Sequence, residues 1–416
     1  MKTCKNSGIK WIGNVPKHWE ISKLKKHFIP RNQKVSDKDY APLSVTKDGV
    51  LPQLDTACKT ENGENRKLVC KGDYVVNSRS DRKGSGGVSP YDGSVSLINI
   101  VMEPTDGERA YYHYLFRCNN FVEEFYRNGW GIVSDLWTTR YQEMRNIDIP
   151  IPPLAEQRAI VSYLDSKVGQ IDTYVAKQTQ QIELLKELKQ AVIANAVTKG
   201  IGTNPNAKRK QSGVNWLGEI PEHWEVSKLR KHFIPRMQKV SDKDFAPLSV
   251  TKDGILPQLD TACKTDNGEN RKLVRKGDYV VNSRSDRKGS GGISPFDGSV
   301  SLINIVIYPI DGEQEYFHYL FRSNNFVEEF YRNGRGIVAD LWTTRYQEMK
   351  NIEIPIPPLS EQRAIVSYIE AQTANIDKLI DAYQQQVERI KEYKQRLISD
   401  AVTGKMNVTG KQTQTN

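Results

Sequence analysis

The sequence predicts an α+β protein: two near-identical mixed α and β modules, each followed by a long helix, the two helices pairing as an antiparallel coiled coil. Three observations lead there. Residues 7–198 recur at 212–403 with a constant offset of 205 and no gap. Within the repeat, 120 of the 141 positions from His18 to Arg158 match their partners, against 13 of the 35 from Leu164 to Thr198. The matching part alternates short β-type runs with turn residues, whereas the drifted part is apolar at helical spacing. A chain of 416 residues is long enough for two domains. The repeat sets their limits: a first module over 1–154, its helix over 155–198, a linker over 199–211, a second module over 212–359, its helix over 360–403 and a flexible tail over 404–416.

Each module opens on Trp11-Ile12-Gly13 and Pro16-Lys17-His18-Trp19-Glu20, copied as Trp216-Leu217-Gly218 and Pro221-Glu222-His223-Trp224-Glu225. Strands are expected at Leu43–Val45, Tyr74–Val76 and Val95–Val101, with turns at Lys47-Asp48-Gly49 and Lys71-Gly72-Asp73. A helix is expected over Tyr111–Tyr126, with Tyr111, Leu115, Phe121, Val122 and Phe125 on one buried side. Ile147–Ile151 reads as an edge strand stopped by Pro152 and Pro153. A helix without internal proline then runs from Glu156. Leu164, Ile171, Gln178, Leu185 and Val192 fall seven apart, as do Val168, Val175, Ile182, Lys189 and Ala196. The copy gives Ile369, Ile376, Tyr383, Ile390 and Leu397, with Thr373, Ile380, Val387, Lys394 and Ala401. Two such seams mark a coiled coil. About 38 residues at a 1.5 Å rise make a rod of roughly 57 Å. The linker holds Gly200, Gly202 and Pro205, then Lys208-Arg209-Lys210. It is flexible and basic, long enough for the chain to turn back and set the helices antiparallel, with a module at each end.

The chain holds 60 Lys and Arg against 50 Asp and Glu, a net charge of +10. That suits an anionic partner, or serves solubility alone. Of five cysteines, only Cys58 has a cysteine counterpart, Cys263; Cys70 faces Arg275 and Cys118 faces Ser323. A disulfide framework would have been copied with its module, so a reducing cytoplasm is expected. The N-terminus lacks the apolar stretch of a signal peptide, and no run of about 18 apolar residues spans a membrane. The chain has no CxxC, HExxH, serine elbow, P-loop or GxGxxG. His18, His27 and His113, with His223, His232 and His318, stand at no ligand spacing and read as structural. No catalytic or metal residue is assigned, and no cofactor is expected on this chain.

Three segments carry contact chemistry. The first is Asn77-Ser78-Arg79-Ser80-Asp81-Arg82-Lys83-Gly84-Ser85-Gly86-Gly87, copied from Asn282 to Gly292 with Arg284, Arg287, Lys288 and Ser290. Its cations suit phosphates and guanine edges, its amides and hydroxyls suit bases, and its glycines let the main chain approach a ligand. The bland reading is a solvated loop. The second runs from Tyr126 to Arg140, with Arg127, Asn128, Trp130, Trp137, Thr138, Thr139 and Arg140. Its copy holds Arg332, Asn333, Arg335, Trp342, Thr343, Thr344 and Arg345. Basic and hydroxyl residues interleave with Trp, as on nucleic-acid surfaces; alternatively Trp137 and Trp342 anchor the core. Trp130 opposite Arg335 points to an exposed position. The third is Lys23, Lys25, Lys26, Arg31 and Lys34, with Lys228, Arg230, Lys231, Arg236 and Lys239, either phosphate neutralisers or a plain surface helix. Lys47 and Lys252, in turns, complete the candidate set of contact residues.

The opening Trp-(Ile/Leu)-Gly and Pro-x-His-Trp-Glu, with the closing Ile-Pro-x-Pro-Pro-Leu-x-Glu-Gln-x-x-Ile at Ile149–Ile160 and Ile354–Ile365, resemble the framing motifs of specificity (S) subunits of type I restriction-modification systems. The resemblance spans essentially the whole chain. It implies two target-recognition domains, each reading one half of a bipartite site in double-stranded DNA. It also implies long antiparallel helices that set the spacing and dock two methyltransferase (M) subunits. Those subunits use S-adenosylmethionine to methylate adenine, and restriction (R) subunits driven by ATP with Mg join to cleave. The S subunit itself has no catalytic site. This chain departs from the pattern in one respect: its two recognition domains are nearly one sequence. Equal readers imply equal half-sites on opposite strands, an interrupted palindrome. A coiled-coil scaffold or DNA-binding protein outside a restriction system is the alternative.

Overall fold

The computed structural model describes residues 3–54, 63–131, 137–202, 208–259, 268–336 and 342–408. Contacts divide the chain into two compact units, residues 1–179 with 385–416, and residues 180–384. The division cuts across the repeat, because both long helices contribute to both units.

In the first unit the central sheet is antiparallel and four-stranded, in the order Gly86–Val88, Tyr74–Asn77, Asn99–Pro104, Phe28–Pro30. Tyr74–Asn77 is buried at every position, which explains its unbroken apolar run. A second sheet orders Gly93–Val95, Arg66–Val69 and Lys34–Val35. Leu43–Thr46 and Gly49–Pro52 form a hairpin over the Lys47-Asp48-Gly49 turn, where Gly49 adopts φ +123°. The edge strand at the module's end is present as Asp148–Ile151, paired among the described residues with Glu20–Lys23 alone. The second unit repeats the central sheet as Phe233–Pro235, Asn304–Pro309, Tyr279–Asn282 and Gly291–Ile293.

The single helix expected over Tyr111–Tyr126 is two helices, Arg109–Arg117 and Asn119–Arg127. Cys118 between them is extended, with φ −67° and ψ 142°. In the second unit Ser323 holds this place; its Oγ accepts from Phe326 N at 3.4 Å and donates to Leu320 O at 2.7 Å. The position is therefore a helix N-cap. An apolar cysteine there disguised the break. The buried side is as expected: Tyr111, Leu115, Phe121 and Phe125 are in the core and Val122 packs against it. The aromatic rings interlock, with Phe28 and Tyr112 centroids 4.8 Å apart and Phe116 and Phe121 4.6 Å apart.

The long helices run Leu154–Lys199 and Leu359–Val402. All heptad positions named above are buried or half-buried, including Gln178, Lys189 and Lys394. In the first unit Asp172 meets Lys394 at 2.6 Å and Tyr174 meets Gln386 at 3.2 Å. In the second, Lys189 meets Asp377 at 2.7 Å beside a cluster of Ile182, Ile376 and Ile380. Numbers rise along one helix as they fall along the other, so the pair is antiparallel. Burying each isoleucine stabilises the pair by about 2 kcal/mol. Each module sits over the start of its own helix and the end of the other. Tyr111 Oη donates toward Pro150 O (2.9 Å) and Val402 O (3.1 Å); Tyr316 Oη donates toward Pro355 O (3.2 Å) and Val197 O (3.0 Å). No helix among the described residues is long and apolar enough to cross a membrane. Cys70 and Cys118 are free thiols, while Cys58 and Cys263 lie outside the described residues.

Candidate nucleic-acid interface

The first two candidate segments meet through their backbones. Arg79 and Thr138 form an antiparallel bridge, as do Trp130 and Thr138. Ser80 N donates to Trp137 O, and Thr139 N to Ser78 O, both at 2.9 Å. Arg284, Arg335 and Thr343 repeat the bridges in the second unit, with Ser285 N on Trp342 O and Thr344 N on Ser283 O, again at 2.9 Å. Two stretches distant in sequence thereby make one surface. Ile132, Val133, Asp135 and Leu136 of the second segment lie outside the described residues.

That surface is basic and aromatic. Arg82, Arg127, Arg140, Arg287, Arg332 and Arg345 are exposed, Arg79 and Lys83 partly so. Trp130 is 77% exposed and Arg335 stands in its place in the second unit, as the substitution pattern suggested. Trp137 and Trp342 are 36% and 37% exposed, so neither is a core anchor. Carboxylates hold the cations in place. Asp81 lies 3.2 Å from Arg79, Glu123 2.6 Å from Lys83 and Glu124 2.5 Å from Arg127. In the second unit Asp286 lies 3.0 Å from Arg284, Glu328 2.6 Å from Lys288, and Glu329 pairs with Arg332. The pairs of Arg79, Lys83, Arg284 and Lys288 are exposed, and such pairs contribute about 0–1 kcal/mol. A phosphate oxygen can therefore replace the carboxylate at little cost.

Lys47 and Lys83 share a cleft of about 600 Å³ with His113, Arg117 and Lys394. Its copy, about 670 Å³, holds Lys252, Lys288, His318, Arg322 and Lys189. Burial, helped by Arg117, pushes the His113 imidazole down to about 4; burial and Arg322 do the same to His318. Both rings are neutral near pH 7, so the positive charge in these clefts comes from Lys and Arg.

Other candidates turn out to be framework. Thr139 and Thr344 are fully buried and donate to Phe125 O and Phe330 O at 2.9 Å. Asn77 Oδ1 accepts from Arg79 N, and Asn282 Oδ1 from Arg284 N, at 3.0 Å. Ser85 and Ser290 are buried, and their carbonyls accept from Asn77 N and Asn282 N. Asn128 and Asn333 donate to Glu124 O and Glu329 O, closing helix ends. These residue types serve turns and caps as readily as bases, so composition could not separate the two uses. Gly86 also differs from expectation. A Cβ at Gly86 would meet Val75 O at 2.9 Å, so this glycine serves close strand packing. Among the third set, Arg31 and Arg236 are committed to the buried carboxylates of Asp73 and Asp278, through Nε at 2.7 and 2.6 Å. Lys23 is held by Asp148 at 2.7 Å. Lys25, Lys26, Lys34, Arg230, Lys231 and Lys239 are exposed.

The sequence profile of the type I restriction modification DNA specificity domain matches residues 16–184 and 221–389. The chain belongs to the type I restriction-modification specificity family. Among family members, it is 26% identical to the MjaVIII specificity subunit of Methanocaldococcus jannaschii, over 95% of this chain and 94% of that one. It is 26% identical to the Escherichia coli EcoBI specificity subunit, over 74% and 67%. A chain of a solved type I R-M system, described for complex assembly and conformational transition, shares the fold at TM-score 0.65 and 16% identity, covering 94% of this chain and 99% of that one.

The family's framing motifs have a job that the sequence reading missed. His18 Nε2 lies 2.6 Å from Glu156 Oε1, and Trp19 Nε1 donates to Glu156 Oε2 at 2.9 Å. Gln157 Oε1 accepts from Glu108 N at 2.7 Å, and its Nε2 donates to Pro152 O at 2.9 Å. His223 with Glu361, and Gln362 with Glu313 and Pro357, repeat the clasp. The motifs fasten the two ends of each specificity domain to the first turn of its helix. The only signal was the repeated Glu-Gln after Pro-Pro-Leu.

Proposed function

We propose that this chain reads an interrupted palindrome in double-stranded DNA. As a type I specificity subunit it recognises DNA within a restriction-modification complex and is not itself the enzyme. The finer reading rests on one observation: both contact segments are duplicated nearly unchanged, and Lys71–Gly87 is identical to Lys276–Gly292. Equal surfaces with equal backbone bridges select equal bases. Antiparallel pairing of the helices in each unit supports inverted rather than tandem half-sites. Arg79, Arg82, Lys83, Lys47, Arg127, Trp137, Thr138 and Arg140, with Arg284, Arg287, Lys288, Lys252, Arg332, Arg335, Trp342, Thr343 and Arg345, are the contacts that remain accessible.

In the same reading the coiled coil docks two M subunits, which bind S-adenosylmethionine and methylate adenine, and R subunits bring ATP with Mg. The complex works in the cytoplasm. Among the described residues no group of three or more His, Cys, Asp or Glu is placed to hold a metal. Single-molecule methylation sequencing of cells carrying this gene with its partner genes tests the proposal. The expected motif has inverted halves of closely matching sequence around an unspecified spacer. A motif with unrelated halves would rule out the palindromic reading.

A further inference from the structure

Beside the Arg79–Thr138 bridge lies a third cleft, of about 480 Å³, in the first unit. Its floor is the Asn99–Pro104 strand and its walls are the two contact segments and the loop after Phe28–Pro30. The lining chemistry is mixed in the manner of a base-reading surface. Arg79 and Arg140 offer guanidinium groups, Thr138 a hydroxyl, and Leu97 and Ile98 exposed apolar surface at 39% and 44%. Lys67 Nζ donates to Asn99 O at 2.7 Å, and among the described residues no carboxylate lies within ion-pair distance of it. Among the described residues the Arg79 side chain is held only by the exposed Asp81 pair, and exposed leucine and isoleucine beside such cations are satisfied by a base edge.

Twelve residues line this cleft, and eleven are identical in the second unit. The exception is Asn32, replaced by Met237. Both are exposed, Met237 at 67%, so neither was chosen for packing. Resting on the equal-reader proposal above, we infer that Asn32 and Met237 are the specificity-determining difference between the two DNA readers, acting on one base pair of each half-site. Asn presents an amide that pairs bidentately with the N6 and N7 edge of adenine. Met presents only apolar surface, which suits a thymine methyl and cannot satisfy an amide edge. The two half-sites therefore differ at the base pair that this side chain reads. At that position the Asn32 reader specifies a base that the Met237 reader discriminates less, or replaces with thymine. A bidentate amide contact gives on the order of ten-fold discrimination or more.

The test is selection of bound duplexes from a randomised library by the full-length chain, comparing wild type with N32M and M237N. Each substitution installs a side chain that the sister unit already carries on the same framework, so both variants fold. Wild type is expected to enrich two inverted half-sites that differ at one base pair. N32M and M237N are each expected to make the halves alike, with opposite identities at that pair. Unrelated halves, or no enrichment, overturn the equal-reader proposal itself. Inverted halves that are unaltered by both swaps leave that proposal standing and overturn this inference alone.

Discussion

Thr139 and Arg140 are adjacent in the chain, yet one is fully buried and the other exposed. The strand-like bridge at Thr138 turns successive side chains to opposite faces, and this alternation sorts framework from contact. Replacing Thr139 and Thr344 by Val removes the buried hydroxyl donors to the carbonyls of Phe125 and Phe330, leaving Phe125 O, among the described residues, only the 3.3 Å bond from Asn128 N, so the double variant should lose about 1–3 kcal/mol of stability per site while its DNA motif stays the same. Replacing Arg140 and Arg345 by Ala should do the reverse, weakening DNA binding with no shift in melting. Chemical denaturation and binding isotherms on the same samples separate the two. The buried histidines set a pH dependence. His113 and His318 bind protons near pH 4 in the folded chain, against 6.5 ordinarily. Between those values the unfolded chain takes up protons that the folded chain refuses, so stability falls as pH drops from about 6.5 to about 4, and is indifferent to these groups above that. The loss is up to about 3 kcal/mol per histidine. An H113N/H318N variant should show a shallower fall in melting temperature across that window. An unchanged slope would mean the rings are not the groups responsible.

At the scale of elements, the long helices were legible in detail because a heptad is a local pattern repeated many times. Leu164, Ile171, Ile376 and Leu397 fall on the seam and are buried where the period places them. The break at Cys118 was not legible, since one residue decides it and cysteine counts as apolar in any periodic reading. The candidate surface was half legible. Its segments could be found from charge and duplication, but their meeting at the Arg79–Thr138 bridge is a long-range pairing that no local pattern carries. Likewise Asp73 and Arg31 find each other only through the fold. The cap supplies a direct test. Ser323→Ala removes the N-cap of Asn324–Arg332 and should lower stability by about 1 kcal/mol. Cys118→Ala removes no cap hydroxyl and should cost less than the serine change from that source. Paired thermal melts decide it, and equal losses would assign both effects to buried volume instead.

For the molecule as a whole, a net charge of +10 is too small to explain DNA binding by bulk attraction, so affinity must come from local cations released from weak surface pairs. Those cations occur twice, in the same backbone setting. That gives a prediction no single-reader protein would meet. R79A/R82A and R284A/R287A are the same lesion in different units. If each unit contributes one reader, both should weaken binding to a symmetric duplex by the same factor. Each should also reduce the slope of log affinity against log salt by up to about 2, for two lost phosphate contacts. The quadruple variant should lose the sum of the two free energies, because the lesions share no side-chain partner. Titrations at three or more salt concentrations measure all of this. One lesion abolishing binding while its copy does little would mean that one module alone does the reading. The near-identity of the modules would then reflect a shared framework, without a shared function. Equal losses, by contrast, tie the duplication directly to recognition: the drifted helices are constrained only along their seams, whereas the copied surfaces are constrained by the same DNA bases.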